Sequence, residues 1–221
     1  MKALFLVLVF VSCSMAWGEQ FYEPPFPKLP RNFSWKGRYI VPDLIDPATG
    51  ELGVNVPFTW EGVNGDVQMI AGSEKHAIYF TNFIYQGYLY TYTYKWPQLQ
   101  PEFLPPLESC DPLFEFTLED LNDFFTNANF VGAEILDERK PRCVNHFRIS
   151  LALPQLPPGF QLRLPILSAD IYVDQNDSRK FWKVLHYGLQ NLYAPNLDEW
   201  IILNKFSDCP GEIKLPPSCN L

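Results

Sequence analysis

The most oxygen-rich stretch of the chain runs from Asp170 to Ser178, where Asp170, Asp174, Asn176, Asp177 and Ser178 supply donors suited to a hard cation such as calcium. Asp174, Asn176 and Ser178 carry the spacing of the first three ligands of an EF-hand loop. The pattern then fails: Arg179 stands where the loop needs its turn glycine, and Leu185 where the bidentate glutamate belongs. The segment therefore reads as a solvated turn between two strands, with calcium open only in another geometry, and neither metal nor cofactor is expected. The three histidines, His76, His146 and His186, fall in separate strand-like runs and form neither His-x-His nor His-Glu-x-x-His spacing. No nucleophile elbow, phosphate loop or dinucleotide glycine fingerprint occurs. Adjacent carboxylates at Glu119–Asp120 and Asp137–Glu138 lie on polar segments, where such groups are ordinarily solvated. An enzyme is not expected, and a hydrolase using surface carboxylates ranks third among the functions considered.

Sulfur chemistry points to an oxidising compartment. Met1 and Lys2 precede an apolar run from Ala3 to Val11, and Ser14 and Ala16 are the small residues a signal peptidase requires. Residues 1–16 read as a signal peptide cut before Trp17, with a cut after Gly18 equally permitted. The run is about half of the ~20 residues needed to span a bilayer, so no transmembrane anchor is expected. The C-terminal residues resemble neither a lipid-anchor signal nor a retention tetrapeptide, leaving a secreted, extracellular or endomembrane-lumenal destination. Cys13 leaves with the signal. Cys110, Cys143, Cys209 and Cys219 then form two disulfides in one of three pairings, and Cys110–Cys143 with Cys209–Cys219 is favoured because each closes a loop between neighbouring segments. Asn32-Phe33-Ser34 and Asn176-Asp177-Ser178 are sequons, with Asn32 the better acceptor because its proline-rich surroundings read as exposed.

One further pattern carries potential chemistry: in Tyr88-Leu89-Tyr90-Thr91-Tyr92-Thr93-Tyr94-Lys95 the tyrosines alternate, placing four phenol rings on one face of a strand. Cross-strand packing accounts for such a stripe, and so does a wall lining an apolar ligand. The opposite face holds Leu89, Thr91, Thr93 and Lys95, of which the threonines and the lysine are costly to bury unpartnered, so the rings are expected to face the interior, with Trp182 or Trp200 on neighbouring strands. The candidate ligand-binding residues are accordingly Tyr88, Tyr90, Tyr92, Tyr94, Trp182 and Trp200.

The elements that must position these residues are mostly strands. Residues 17–34 hold Pro24, Pro25, Pro27 and Pro30 and read as an extended arm ahead of a domain over 35–221. Strand-like runs follow at Trp35–Val41, Leu52–Trp60, Asp66–Ala71, His76–Phe83 and Gly87–Lys95, with a turn at Asp46–Gly50. Residues 97–112 read as a proline-rich connection. Thr117 and Asp120 imitate a capping box before Leu118, Leu121, Phe124 and Phe125, which predicts a helix ending near Ala128. Strands are expected again at Phe130–Leu136, Arg142–Leu153, Leu162–Val173, Phe181–Tyr187 and Glu199–Phe206. The fold class is therefore mainly β: a single-domain curved antiparallel sheet, a half-barrel of about ten strands with one or two covering helices. With 47 % hydrophobic and 19 % charged residues the chain is a folded globule, and its net charge of −8 argues against nucleic acid as a partner.

Trp35-x-Gly37 on the first strand, Cys110 near mid-chain, Trp200 on a late strand and the closing Leu215-Pro216-Pro217-Ser218-Cys219 resemble the ependymin-related family. That family's fold is similar to the bacterial lipoprotein carriers of the LolA kind. The resemblance implies a half-barrel with helical cover and a hydrophobic pocket for lipid-like ligands. A lipocalin is disfavoured because the first strand has Trp-x-Gly and not Gly-x-Trp. The leading expectation is a secreted glycoprotein whose partner is a hydrophobic small molecule or lipid. The alternative is an extracellular structural or adhesive glycoprotein without a small-molecule ligand. Nothing in the sequence sets an oligomeric state.

Overall fold

The computed structural model describes residues 23–46, 49–73, 75–76, 78–95, 112–137, 139–151, 167–191, 194–213 and 219. In chain order the elements are β1 (Phe33–Ile45), β2 (Leu52–Val63), β3 (Asp66–Gly72), β4 (Tyr79–Tyr85), β5 (Tyr88–Lys95), β6 (Pro112–Glu115), α1 (Leu118–Phe125), β7 (Asn129–Leu136), β8 (Arg142–Leu151), β9 (Leu167–Asp174), β10 (Phe181–Asn191) and β11 (Ala194–Ser207). The strands form one antiparallel sheet in the order β6-β5-β4-β3-β2-β1-β11-β10-β9-β8-β7. Two meanders thus leave a common seam in opposite directions, and the pairing of the first strand with the last joins them. The sheet curves without closing into a barrel: β6 and β7 are its two edges, and α1 follows one and precedes the other. Among the described residues no helix is long and apolar enough to cross a membrane.

Local sequence explains the hairpins. Asn64–Gly65 and Gln86–Gly87 both have positive φ at two consecutive positions and join directly paired strand ends, Val63 to Asp66 and Tyr85 to Tyr88. These are the mirror-image turns whose twist matches the strands, and glycine is the residue that enters them at least cost. The Asp46–Gly50 turn forms as expected, with the Gly50 N–H donating to the Asp46 carbonyl at 2.7 Å. In β2 the alternation is strict: Val54, Val56, Phe58 and Trp60 are buried on one face.

The helix begins where the sequence places it. Asp120 N–H donates to Thr117 Oγ1 at 3.1 Å, and Thr117 N–H donates back to Asp120 Oδ2 at 2.7 Å, so the capping box is complete. Eight residues are too few to hold a helix in water. Here Leu118, Leu121, Phe124 and Phe125 pack onto the sheet. The helix ends at Phe125, with Thr126 as its C-cap, a few residues before the expected stop at Ala128.

Several strand boundaries differ from expectation: β1 runs on to Ile45, β2 to Val63 and β10 to Asn191, and β11 starts already at Ala194. β1 starts at Phe33 because Phe33 packs against Trp35 and Trp60 and extends the inward row by one step. β4 starts at Tyr79, and His76 lies in the preceding loop with Nδ1 2.8 Å from Ser73 Oγ. β6 forms at the end of the stretch read as connection: Pro112 occupies the first position of an edge strand, where its missing N–H breaks little of the ladder.

Gly37 lies at a bulge where β1 meets β11, and a Cβ built on it would fall inside the van der Waals shell of the Ile202 carbonyl. Gly37→Ala is therefore expected to lower stability by about 1–3 kcal/mol, read as a reduced thermal unfolding midpoint. An unchanged midpoint would show that the seam tolerates a wider spacing.

Candidate functional site

The concave face is an aromatic trough centred on the seam. Trp35, directly opposite Trp60 on β2 and Phe206 on β11, has its ring 5.3 Å from Trp60 edge-on, 4.9 Å from Phe181 stacked and 4.4 Å from Phe33. Tyr39, Phe58 and Phe80 continue the trough toward β4. Phe147, Ile149, Ala169, Ile171 and Val173 continue it through β8 and β9. Within this apolar wall Trp60 is 5 % exposed and its indole N–H has no hydrogen-bond partner among the described residues. An unpaired buried donor costs about 1–3 kcal/mol.

The proline-rich arm lies in this trough. Phe26 stacks on Phe125 of α1 at 5.0 Å and meets Phe147 and Phe181 edge-on at 5.1 and 5.6 Å. Leu29 is buried, its N–H donates to Asn122 Oδ1 at 2.7 Å, and Asn122 Nδ2 donates to the Leu29 carbonyl at 3.5 Å. Proline content misled the sequence reading: it forbids a ladder, yet a side-chain amide supplies the hydrogen bonds a ladder would have made. A cleft of about 210 Å³ opens beside the arm, between Glu23–Phe26 and the Thr126–Phe130 segment.

Of the expected tyrosine wall, Tyr88 and Tyr90 have described side chains, and Tyr90 faces away from the core that α1 covers. Leu89 packs against the trough core, whereas Tyr90, one residue on, is buried on the outer face with Phe83, Tyr85 and Cys219. Burial there, reinforced by Tyr88 and Tyr85, raises the Tyr90 phenol above its ordinary pKa. Tyr88 is exposed, with its hydroxyl 3.4 Å from Glu115. The side chains of Tyr92 and Tyr94 lie outside the described ones. The expectation failed because the outer face is itself covered beside Cys219, so it too has an apolar place for a ring.

Trp182 and Trp200 also lie on the outer face, around a small core of Val144, Tyr172 and Leu185. The Trp182 indole donates to Asp174 Oδ2 at 2.9 Å, and the Arg142 guanidinium stacks over its ring at 4.0 Å. Lys183 lies 5.4 Å from the Trp200 ring, and burial lowers its pKa. Beside them is a polar network that sequence reasoning missed. His146 Nδ1 is 2.6 Å from Glu134 Oε1, its ring stacks on Tyr172 at 4.5 Å, and its Nε2 lies 3.0 Å from Asp170 Oδ1, off a hydrogen-bonding direction. Arg148 grips Asp170 with two bonds of 2.7 and 3.0 Å. Register brings these together, since Arg148 is opposite Asp170 and His146 opposite Tyr172. Among the described residues no three metal-binding side chains converge. His186 is placed by its backbone on β10, opposite Ala169.

The Asp174 segment is a turn, as read. Asp174 Oδ1 accepts the N–H groups of Asn176 and Asp177 at 2.8 and 3.0 Å, which closes the turn. Both sequon asparagines, Asn32 and Asn176, are exposed.

Cys143 and Cys219 each belong to a disulfide, and Cys209 is an exposed free thiol. The expected Cys209–Cys219 bridge is thus absent. Cys219 packs beside β4 and β5, whereas Cys209 follows β11, four strands away in the sheet order. At about 4.8 Å per strand that separation far exceeds the ~7 Å a disulfide spans between Cα atoms. Cys110, the expected partner of Cys143, lies outside the described residues.

Compared with known proteins, the chain matches no family model and no curated protein sequence.

Near the Asp174 turn the Arg179 side chain, helped by Lys180, holds the Asp177 carboxyl down at about 2. A depressed folded-state pKa contributes stability that is fully present above the unfolded value of about 4 and is lost as pH falls through the folded one. The stability difference between wild type and Asp177→Asn should therefore be constant above about pH 5 and shrink toward pH 2. A difference that stays flat over that range in acid denaturation would mean the pair contributes nothing.

Proposed function

We propose that the chain is a secreted glycoprotein that binds a hydrophobic or lipid-like ligand carrying a hydrogen-bond acceptor, in the concave trough of its sheet. The observation that carries this reading is the Trp60 indole N–H, buried in an aromatic wall without a partner among the described residues. A carboxylate or carbonyl headgroup accepts that proton while its apolar chain lies along the trough. The open antiparallel sheet with one helix over it is the arrangement the ependymin-related resemblance implies. The N-terminal signal pattern and two exposed sequons support secretion. No catalytic step and no metal belong to the proposal.

The competing reading, an extracellular structural or adhesive glycoprotein, is favoured by the close packing of the arm against the trough and by the modest cleft beside it. Trp60→Phe separates the two. A hydrogen bond to a charged acceptor contributes about 1.5–3 kcal/mol, so the variant should bind a carboxylate-bearing fluorescent fatty acid at least about tenfold more weakly. Its stability should fall by about 1–3 kcal/mol, the cost of the cavity a smaller ring leaves, partly offset by removal of a buried unpaired donor. Equal affinity in the two proteins, or no uptake of the probe by either, contradicts the proposal.

A further inference from the structure

Most of the arm's attachment is apolar side chain. Its prolines keep it out of any strand ladder, and among the described residues the hydrogen bonds over Glu23–Pro30 are the two between Leu29 and the Asn122 amide. Phe26 is inserted among Phe125, Phe147 and Phe181, three rings from three different elements. Phe181 in turn stacks on Trp35 and lies 6.5 Å from Trp60, so the seat of Phe26 is continuous with the wall that holds the unpaired indole. The cleft bordering the arm, about 210 Å³, is smaller than the ~300 Å³ at which pockets for drug-sized ligands begin. An acyl chain reaches the trough only by taking space that Phe26 and Leu29 now fill.

We infer that the seat of Phe26 and Leu29, bounded by Phe125, Phe147, Phe181 and Asn122, is the binding site for the apolar chain of the ligand, and that the arm is a built-in competitor the ligand must displace. This rests on the ligand-binding reading of the trough and adds to it where the chain lies and what regulates access. Asn122 is the latch: it is buried, and its amide grips the arm backbone at both the N–H and the carbonyl of Leu29. The apparent affinity of such a protein is its intrinsic affinity reduced by the fraction of molecules with the arm released. Weakening the latch therefore tightens ligand binding, the opposite of what removing a contact residue does.

The arm carries its own reporter. Lys28 is exposed and is followed by the buried Leu29, so trypsin cuts at this bond only when the arm leaves the trough. In the full-length protein, a saturating fluorescent fatty acid should speed cleavage after Lys28, and Asn122→Ala should speed it without the probe. Asn122→Ala should also bind the probe about three- to tenfold more tightly, the range set by one lost hydrogen bond. Phe26→Ser, which leaves the helix and sheet intact, should shift both readouts in the same direction and guards against misfolding of the first variant. If wild type binds the probe but cleavage after Lys28 does not respond and both variants bind no more tightly, the arm is not a competitor and the trough reading survives. If wild type and both variants bind no probe, the trough reading fails and this inference fails with it.

Discussion

Everything in this molecule depends on the single seam where β1 pairs with β11. Two meanders joined by no other strand pairing among the described residues are held in one curved sheet there, and Trp35 packs simultaneously on Trp60 from one meander and Phe181 from the other. Indole and phenyl rings bury large apolar areas with few rotatable bonds, so they fix the relative tilt of the two halves. Gly37, two residues along, lets the backbones approach closely enough for that packing. The curvature that makes a trough is a consequence of this joint.

A trough so formed has an apolar concave face longer than one short helix can cover. α1 covers part of it with Leu118, Leu121, Phe124 and Phe125, and the arm covers more with Phe26 and Leu29. The two covers are tied together by Asn122, a polar residue on an otherwise inward helical face. Cover of this kind differs from a third layer of regular structure. It is fastened by few hydrogen bonds and by rings that leave together, which is the physical basis for reading it as displaceable.

Much of the architecture was legible in local pattern: the strict alternation of β2, the turns at Gly65 and Gly87, and the capping box at Thr117. What was not legible depends on contacts between distant segments. The arm read as solvent-exposed because prolines exclude a ladder, and nothing near Leu29 reveals an amide 93 residues away waiting to bond it. Tyr90 of the tyrosine stripe lies on the face opposite to the expected one, since alternation separates two faces without saying which is the concave one. Leu89, the lone large apolar residue between the tyrosines, was the available signal, and it marks the inward face. The Glu134–His146–Asp170–Arg148 network needs the register of three strands, although the alternation of His146 and Arg148 on β8 did place both on one face. The Cys209–Cys219 pairing failed for a related reason: nearness in sequence did not predict which strand the C-terminal segment would cover.

The central claim is that the trough is a ligand site in a secreted protein. Native mass spectrometry of the glycoprotein recovered from the medium of expressing cells tests it most directly. The account predicts a chain beginning at Trp17 or Glu19 that carries a noncovalent lipid-like mass, lost on denaturation and recovered by solvent extraction. A chain that retains Ala3 to Val11, or a bare polypeptide that takes up no added fatty acid even when Asn122→Ala has freed the arm, would contradict it.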